Sequence, residues 1–268
     1  MVRSVFHRRP VVIANWKMYL GAAESVRAAH AIRRLTARLA GRDAEIVLCP
    51  CFPVLAEVRG ALVGSRLQLG AQELHHEPSG PYTGDVSANQ LRGLIRYVVV
   101  GHSERRRFHG ETDEMVARKV QQALRAGFSP IICVGETTEE REEEKTIAKV
   151  RRQVEIVVRE LSRLSLSRCL FAYEPVWAIS AGPGMEGPQP DPAEAAHLMR
   201  LVRKVAADRI GSSAAERVRV LYGGSVTAKT VRPFVSEPGV DGVLVGGAST
   251  KPAEFAAIVR EVVAACRS

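Results

Sequence analysis

Long apolar runs are missing from this sequence of 268 residues. No stretch reaches the ~18 consecutive apolar residues that a membrane-spanning helix needs. Cysteine is sparse: Cys49, Cys51, Cys133, Cys169 and Cys266 are odd in number and scattered. That pattern argues against a disulfide framework and for reduced thiols in a cytoplasmic setting. Cys49-Pro50-Cys51 lacks a second Cys or His pair at ligand spacing, so no metal site is expected. A Gly-x-Gly-x-x-Gly turn after the first β-type run is also missing, and no dinucleotide cofactor is expected. Lysine supplies only seven of the 38 basic residues, so arginine carries the formal net charge of +9. The arginines are spread along the chain with few aromatics between them, as expected for a solvated basic face rather than a nucleic-acid surface. Such a face weakly attracts small anions. The basic stretch 1–10 has no apolar core and does not read as a secretory signal.

The chain does have an ordinary globular composition, 46% hydrophobic and 25% charged, enough apolar mass to exclude disorder. Eight short apolar runs recur: 11–15 (VVIAN), 45–49 (EIVLC), 67–71 (LQLGA), 97–101 (YVVVG), 130–134 (PIICV), 170–174 (LFAYE), 218–222 (VRVLY) and 242–246 (GVLVG). Most are continuous rather than alternating, the signature of strands buried on both faces of a parallel sheet. Helical segments separate them. In 112–127, Thr112 is the expected N-cap, Asp113 and Glu114 suit the helix dipole, Val116, Val120, Ala123 and Leu124 form a stripe, and Gly127 ends the helix. The stretch 138–161, acidic early and basic late, reads as one helix, and Asp191-Pro192 reads as a cap followed by proline. No linker divides the units. The expectation is an α/β fold in which residues 1–268 form one (β/α)8 barrel, with 1–10 as a basic extension.

In such a barrel the chemistry sits at the C-terminal ends of the strands. Those ends carry Asn15 and Lys17, then Gln72, His102 with Ser103 and Glu104, Glu174, Gly223-Gly224-Ser225 and Gly246-Gly247. A carboxylate at the end of an apolar strand is a poor structural choice, so Glu174 reads as functional. It suits a general base next to a carbonyl, with His102 and Lys17 stabilising the oxygen on which charge develops. The two Gly-rich turns after the last strands offer N–H groups to a phosphate.

The stretches Asn15-Trp-Lys17-Met, Gly101-His-Ser-Glu-Arg-Arg106, Cys133-Val-Gly-Glu-Thr137, Tyr173-Glu-Pro-Val-Trp-Ala-Ile179, Tyr222-Gly-Gly-Ser225-Val and Leu244-Val-Gly-Gly-Ala-Ser249 occur in this order. Together they resemble the triosephosphate isomerase family from Asn15 to about Val259. The resemblance implies interconversion of dihydroxyacetone phosphate and glyceraldehyde 3-phosphate, a phosphorylated three-carbon substrate and no cofactor. It makes Glu174 the base, His102 the neutral electrophile, Lys17 the charge on the substrate oxygens and Asn15 an orienting group. Ser103 would cap a short helix beginning at Glu104 whose positive end favours a neutral His102. The resemblance also assigns the phosphate to N–H groups at Ser180, Ser225, Gly246 and Gly247, sets Ile179 and Leu244 beside Glu174, and makes Tyr222 and Ser225 the anchors of the segment after Ile179. A homodimer is implied, in which the loop containing Gln72, Thr83, Gly84 and Asp85 reaches the neighbour's Asn15 and Glu104.

Several positions depart from the family pattern. Ala14, Tyr19, Glu73 and Asp85 stand where Gly, Asn, Asn or Asp, and Glu are usual. Residues 180–192 hold three Gly and four Pro in place of a shorter Gly-Thr-Gly-Lys-Thr-Ala tip. The alternatives are an isomerase of a longer sugar phosphate, allowed by that altered segment, and a non-catalytic phosphate-binding barrel, which would be expected to have lost a catalytic residue.

Overall fold

Each of the eight apolar runs forms a strand in the computed structural model, which describes residues 9–179 and 188–267. The strands are β1 (Val11–Asn15), β2 (Glu45–Cys49), β3 (Gln68–Ala71), β4 (Tyr97–Val100), β5 (Ser129–Val134), β6 (Leu170–Tyr173), β7 (Arg219–Tyr222) and β8 (Gly242–Val245). They close into a barrel in sequence order. Every pairing is parallel, and β1 meets both β2 and β8 through Val11, which faces Glu45 on one side and Gly242 on the other. The strand bounds differ from the apolar runs by at most one residue at an end, because residues such as Gly101, Glu174 and Gly246 leave the ladder to form the loops of the site.

The continuous apolar pattern has a direct cause. Successive side chains point to opposite faces, and both faces are covered. Val11, Ile13, Val47, Cys49, Tyr97, Val99, Ile131, Cys133, Leu170, Ala172, Leu221 and Leu244 fill the barrel interior. Val12, Ala14, Ile46, Leu48, Val98, Val100, Ile132 and Phe171 pack outward beneath the helices. At the N-terminal ends of the strands, Glu45 binds the Tyr97 hydroxyl and Arg219, the latter at 2.6 Å.

The surrounding helices are α1 (Ala22–Thr36), α2 (Leu55–Leu62), α3 (Ser103–His109), α4 (Asp113–Ala126), α5 (Thr138–Glu142), α6 (Thr146–Val158), α7 (Arg163–Leu166), α8 (Pro192–Ile210), α9 (Ser212–Ala215), α10 (Val231–Val235) and α11 (Pro252–Ala265). Helix α4 follows the sequence reading: Thr112 Oγ1 accepts from Met115 N at 3.2 Å, and Gly127 closes the helix at φ +93°. Asp191 caps α8 through Ala193 N and Glu194 N.

Two expectations need correction. The stretch 138–161 is not one helix. It breaks at Glu143–Lys145, where Glu144 takes φ +57°. The physical reason is packing: α5 buries no residue, whereas α6 buries Val150, Val154, Val157 and Val158. An acidic run without an apolar stripe has nothing to hold it in line with the next helix, and its like charges at helical spacing repel. Second, Ser103 does not cap α3. His102 does, accepting from Glu104 N through Nδ1 at 3.2 Å, while Ser103 is the first helical residue.

Candidate active site

The β1 loop is set by Asn15 and Gln72. Asn15 Oδ1 accepts from Lys17 N at 3.0 Å, and Gln72 Nε2 donates to Lys17 O at 2.8 Å and to Cys49 O at 2.9 Å. Lys17 is thus gripped on both sides of its Cα and held at φ +49°, a left-handed conformation that costs a non-glycine residue about 1–2 kcal/mol. The result is a lysine aimed across the barrel mouth, with Nζ 2.6 Å from Glu104 Oε1. Gly246 leaves room for it, since a Cβ there would lie 3.3 Å from Lys17 Cε. Trp16 Nε1 and the Ser249 hydroxyl tie the β1 and β8 loops together.

Strand β4 delivers His102. Because Nδ1 accepts from the Glu104 N–H, the hydrogen-bond pattern assigns the ring proton to Nε2. That nitrogen stands 3.3 Å from Glu174 Oε1. Glu174 follows β6 by one residue and is 2% exposed. Its Oε2 accepts from Ser103 N at 3.3 Å, and its own N–H donates to Val134 O at 2.8 Å. Two glycines make this placement possible by close approach. A Cβ at Gly135 would lie 1.9 Å from Glu174 O, and one at Gly223 would lie 2.6 Å from Glu174 Cγ. Burial, then the neighbouring Glu174 carboxylate, pushes the Cys133 thiol up and keeps it protonated.

Asn15, Lys17, His102, Glu174, Ile179, Ser225, Leu244, Gly246 and Gly247 line one cavity of about 310 Å³, within the usual range for small-ligand sites. The structure brings in further residues that the sequence reading missed, among them Gln189, Thr227, Lys229, Lys251 and Glu254. Gln189 Nε2 donates to Ser225 O at 3.3 Å. Their signal was weak, because none stands directly at a strand end: Thr227, Lys229 and Lys251 lie further along their loops, Gln189 just before α8, and Glu254 in the first turn of α11. Ser180, expected to meet the phosphate, falls outside the described residues. The Ser225 N–H, expected to face a phosphate, donates to Ala178 O at 3.3 Å. Tyr222 stacks on Phe234 at 4.1 Å, and its buried hydroxyl finds no partner among the described residues. Burial pushes that phenol upward.

Gln72 points back into the barrel mouth instead of outward. The rest of its loop is exposed at Thr83, Gly84 and Asp85, with Asp85 3.5 Å from His75. The next residue, Glu73, explains one departure from the family pattern. Its Oε2 lies 2.6 Å from the buried ammonium of Lys119, which also meets Glu111 Oε1 at 2.6 Å. Glu111 in turn binds Arg105 at 2.7 Å. One buried lysine therefore links the β3 loop, through Glu111 and Arg105, to α3, the helix that His102 caps. Among the described residues, no group of three or more His, Cys, Asp or Glu is placed to hold a metal ion.

The arrangement is a buried carboxylate, an imidazole whose Nε2 faces it at 3.3 Å and a fixed cation converging on a cavity with Gly-rich loops at its far side. This geometry can move a proton at carbon while stabilising an adjacent oxyanion. A family model described as triosephosphate isomerase matches residues 10–262. Similar proteins carrying that name include those of Symbiobacterium thermophilum, 44% identical over 94% of this chain and 96% of its own, and Citrifermentans bemidjiense, 42% identical over 94% and 98%. That of Geotalea uraniireducens is 41% identical over 94% and 98%.

Proposed function

The chain belongs to the triosephosphate isomerase family, enzymes that interconvert dihydroxyacetone phosphate and glyceraldehyde 3-phosphate, and from that premise we propose how its own residues divide the work. Glu174 takes a proton from C1 of the ketose and returns it to C2, through an enediolate. His102 Nε2–H hydrogen-bonds the oxygen on which negative charge develops. Lys17 adds a positive charge beside the same oxygens, and Asn15 holds the Lys17 backbone in its left-handed turn. The phosphate lies against the loops of Ser225, Gly246 and Gly247, on the side of the cavity that also carries Lys229 and Lys251. The observation that carries this reading is the 3.3 Å approach of His102 Nε2 to Glu174 Oε1. It sets base and electrophile within one small substrate's reach, with the tautomer fixed by Glu104 N. Preorganised donors of this kind act without reorganisation as charge develops.

We propose a homodimer. Met18 is 94% exposed and Phe108 68%, and both flank the Lys17–Glu104 pair: Met18 follows Lys17, and Phe108 lies one helical turn beyond Glu104. Tyr82, also exposed, belongs to the β3 loop that Lys119 ties to α3. Large apolar side chains gathered around one feature suit an interface. A cytoplasmic location is in keeping with five free thiols and with the lack, among the described residues, of a helix long and apolar enough to cross a membrane.

The test is a coupled assay of glyceraldehyde 3-phosphate turnover, run beside a four-carbon ketose phosphate, with mass measured by light scattering. Turnover of the three-carbon substrate by a dimer is expected. Preference for the four-carbon substrate, or a monomer of full activity, would contradict the reading.

A further inference from the structure

Helix α5 presents a puzzle that packing does not solve. It buries no residue, yet it is locally well determined. Thr137 and Glu140 form a reciprocal capping box, with bonds of 3.2 and 2.9 Å, and Lys149 holds Glu140 at 2.7 Å. The side chain that α5 sends toward the loop after β6 is Arg141. Its guanidinium stacks on the Trp177 ring at 4.3 Å. It also forks onto both oxygens of Glu194, with Nη1–Oε1 at 2.8 Å and Nη2–Oε2 at 3.1 Å. Nη1 lies 3.9 Å from the carboxylate of Glu136, which is fully buried.

Glu136 is the other half of the arrangement. Its carboxylate accepts from Trp177 Nε1 at 2.8 Å and from Tyr173 Oη at 3.2 Å, and its carbonyl accepts from Val176 N at 3.0 Å. Tyr173 and Trp177 stand immediately before and three residues after Glu174. Glu136 therefore grips the turn carrying the carboxylate on both sides. Burial pushes its carboxyl up, and the hydrogen bonds from Trp177 and Tyr173 offset this only in part. A nearby cation adds to that offset and favours the charged form. Arg141 supplies that cation, covers the outer face of the indole, and takes its own anchor from the first turn of α8.

We propose that Arg141, held by Glu194, is a positioning residue for Glu174: it clamps Trp177 between its guanidinium and Glu136 and so fixes the turn 174–179 that aims the carboxylate. It does not line the substrate cavity. The inference rests on Glu174 being the base, and it predicts a change in turnover rather than in substrate affinity. Because an offset of ~1 Å in a reacting group costs about 10²-fold, a shift of half that size lowers the rate by about tenfold.

The experiment compares Arg141→Met, Arg141→Lys and Glu194→Gln with the parent enzyme. Two readouts are used: kcat and KM for glyceraldehyde 3-phosphate, and emission of Trp177. Trp16 and Trp177 are the only tryptophans, so for emission alone each variant is made with Trp16→Phe. Arg141→Met is expected to lose about tenfold in kcat with KM within twofold, and to shift the Trp177 emission. Arg141→Lys, which neither forks nor stacks as a plane, should not rescue it. Glu194→Gln, on the surface and so compatible with folding, should lower kcat in the same direction by a smaller factor. Arg151→Met, removing a charge from a surface i,i+4 pair, should change neither readout. Parental kcat in folded Arg141→Met, or full rescue by lysine, overturns the proposal even if the melting temperature falls. The emission arm is independent of the assignment of the base. A shifted emission with unchanged kcat leaves the clamp in place and removes its link to catalysis.

Discussion

Replacing Glu174 by aspartate withdraws the carboxylate by one methylene while keeping its charge. The surrounding structure prevents the backbone from following. Gly135 lies so close beneath the Glu174 carbonyl that even a Cβ would clash at 1.9 Å, and the Glu174 N–H is bound to Val134 O at 2.8 Å. The present contacts to His102 Nε2 and Ser103 N are each 3.3 Å, already near the outer limit of a hydrogen bond. A retreat of ~1 Å therefore breaks both and moves the base away from the substrate carbon by a similar amount. Misplacement of that size costs about 10²-fold in rate, which corresponds to about 2.7 kcal/mol of lost transition-state stabilisation. The loss should fall on kcat, because Lys17 and the Gly-rich loops that hold the substrate are untouched. Circular dichroism and the coupled assay, with kcat expressed per folded enzyme, provide the measurement. A folded Glu174→Asp enzyme within twofold of the parent would refute the role of Glu174 as base.

Other perturbations have equally definite outcomes. Lys17→Ala should fold yet lose several kcal/mol of transition-state stabilisation, read as a large fall in kcat/KM; parental kinetics would remove Lys17 from the site. Lys119→Met leaves Glu73 and Glu111 buried without their shared cation and should destabilise the fold by about 3–5 kcal/mol, measured by urea unfolding; an unchanged midpoint would deny the link between the β3 loop and α3. At the opposite end of the barrel, burial raises the Glu45 carboxyl, but hydrogen bonds from Tyr97 and Arg219 outweigh it and hold the group below its ordinary value. Its stabilising contribution is thus present above the unfolded-state value and lost as pH falls through the lower folded value. Arg219→Met should accordingly be less stable than the parent at neutral pH, with the gap narrowing in acid; a gap that widens in acid would reverse the sign of this argument.

Most of the barrel was legible because a parallel sheet buried on both faces leaves little choice of residue. Runs such as 11–15 and 45–49 are read with little ambiguity, since every position between the barrel ends meets an apolar face on either side, and only Asn15 and Glu45, at the ends, are polar. The cavity-lining residues Asn15, Lys17, His102 and Glu174 were visible for the complementary reason: polar groups directly at the ends of such runs have no packing role. What the sequence concealed depends on contacts distant along the chain. That His102 rather than Ser103 caps α3 follows from where β4 ends, and it leaves the Ser103 N–H facing Glu174, 71 residues away. The break at Glu144 reflects the lack of anything for α5 to bury. Glu136 and Arg141 stood in plain view beside the fifth strand, but their partners Trp177 and Glu194 lie beyond the sixth. The aim of Gln72 back into the mouth is likewise set by carbonyls on β2 and in the β1 loop.

The central claim is that Glu174 exchanges a carbon-bound proton in this cavity, and isomerisation in deuterium oxide tests it most directly. With the parent enzyme, the products of glyceraldehyde 3-phosphate turnover should carry solvent deuterium on the carbon reprotonated by Glu174. Folded Glu174→Gln should lose isomerisation and deuterium uptake together. A Glu174→Gln enzyme that still isomerises and still incorporates deuterium at the parental rate would contradict the account.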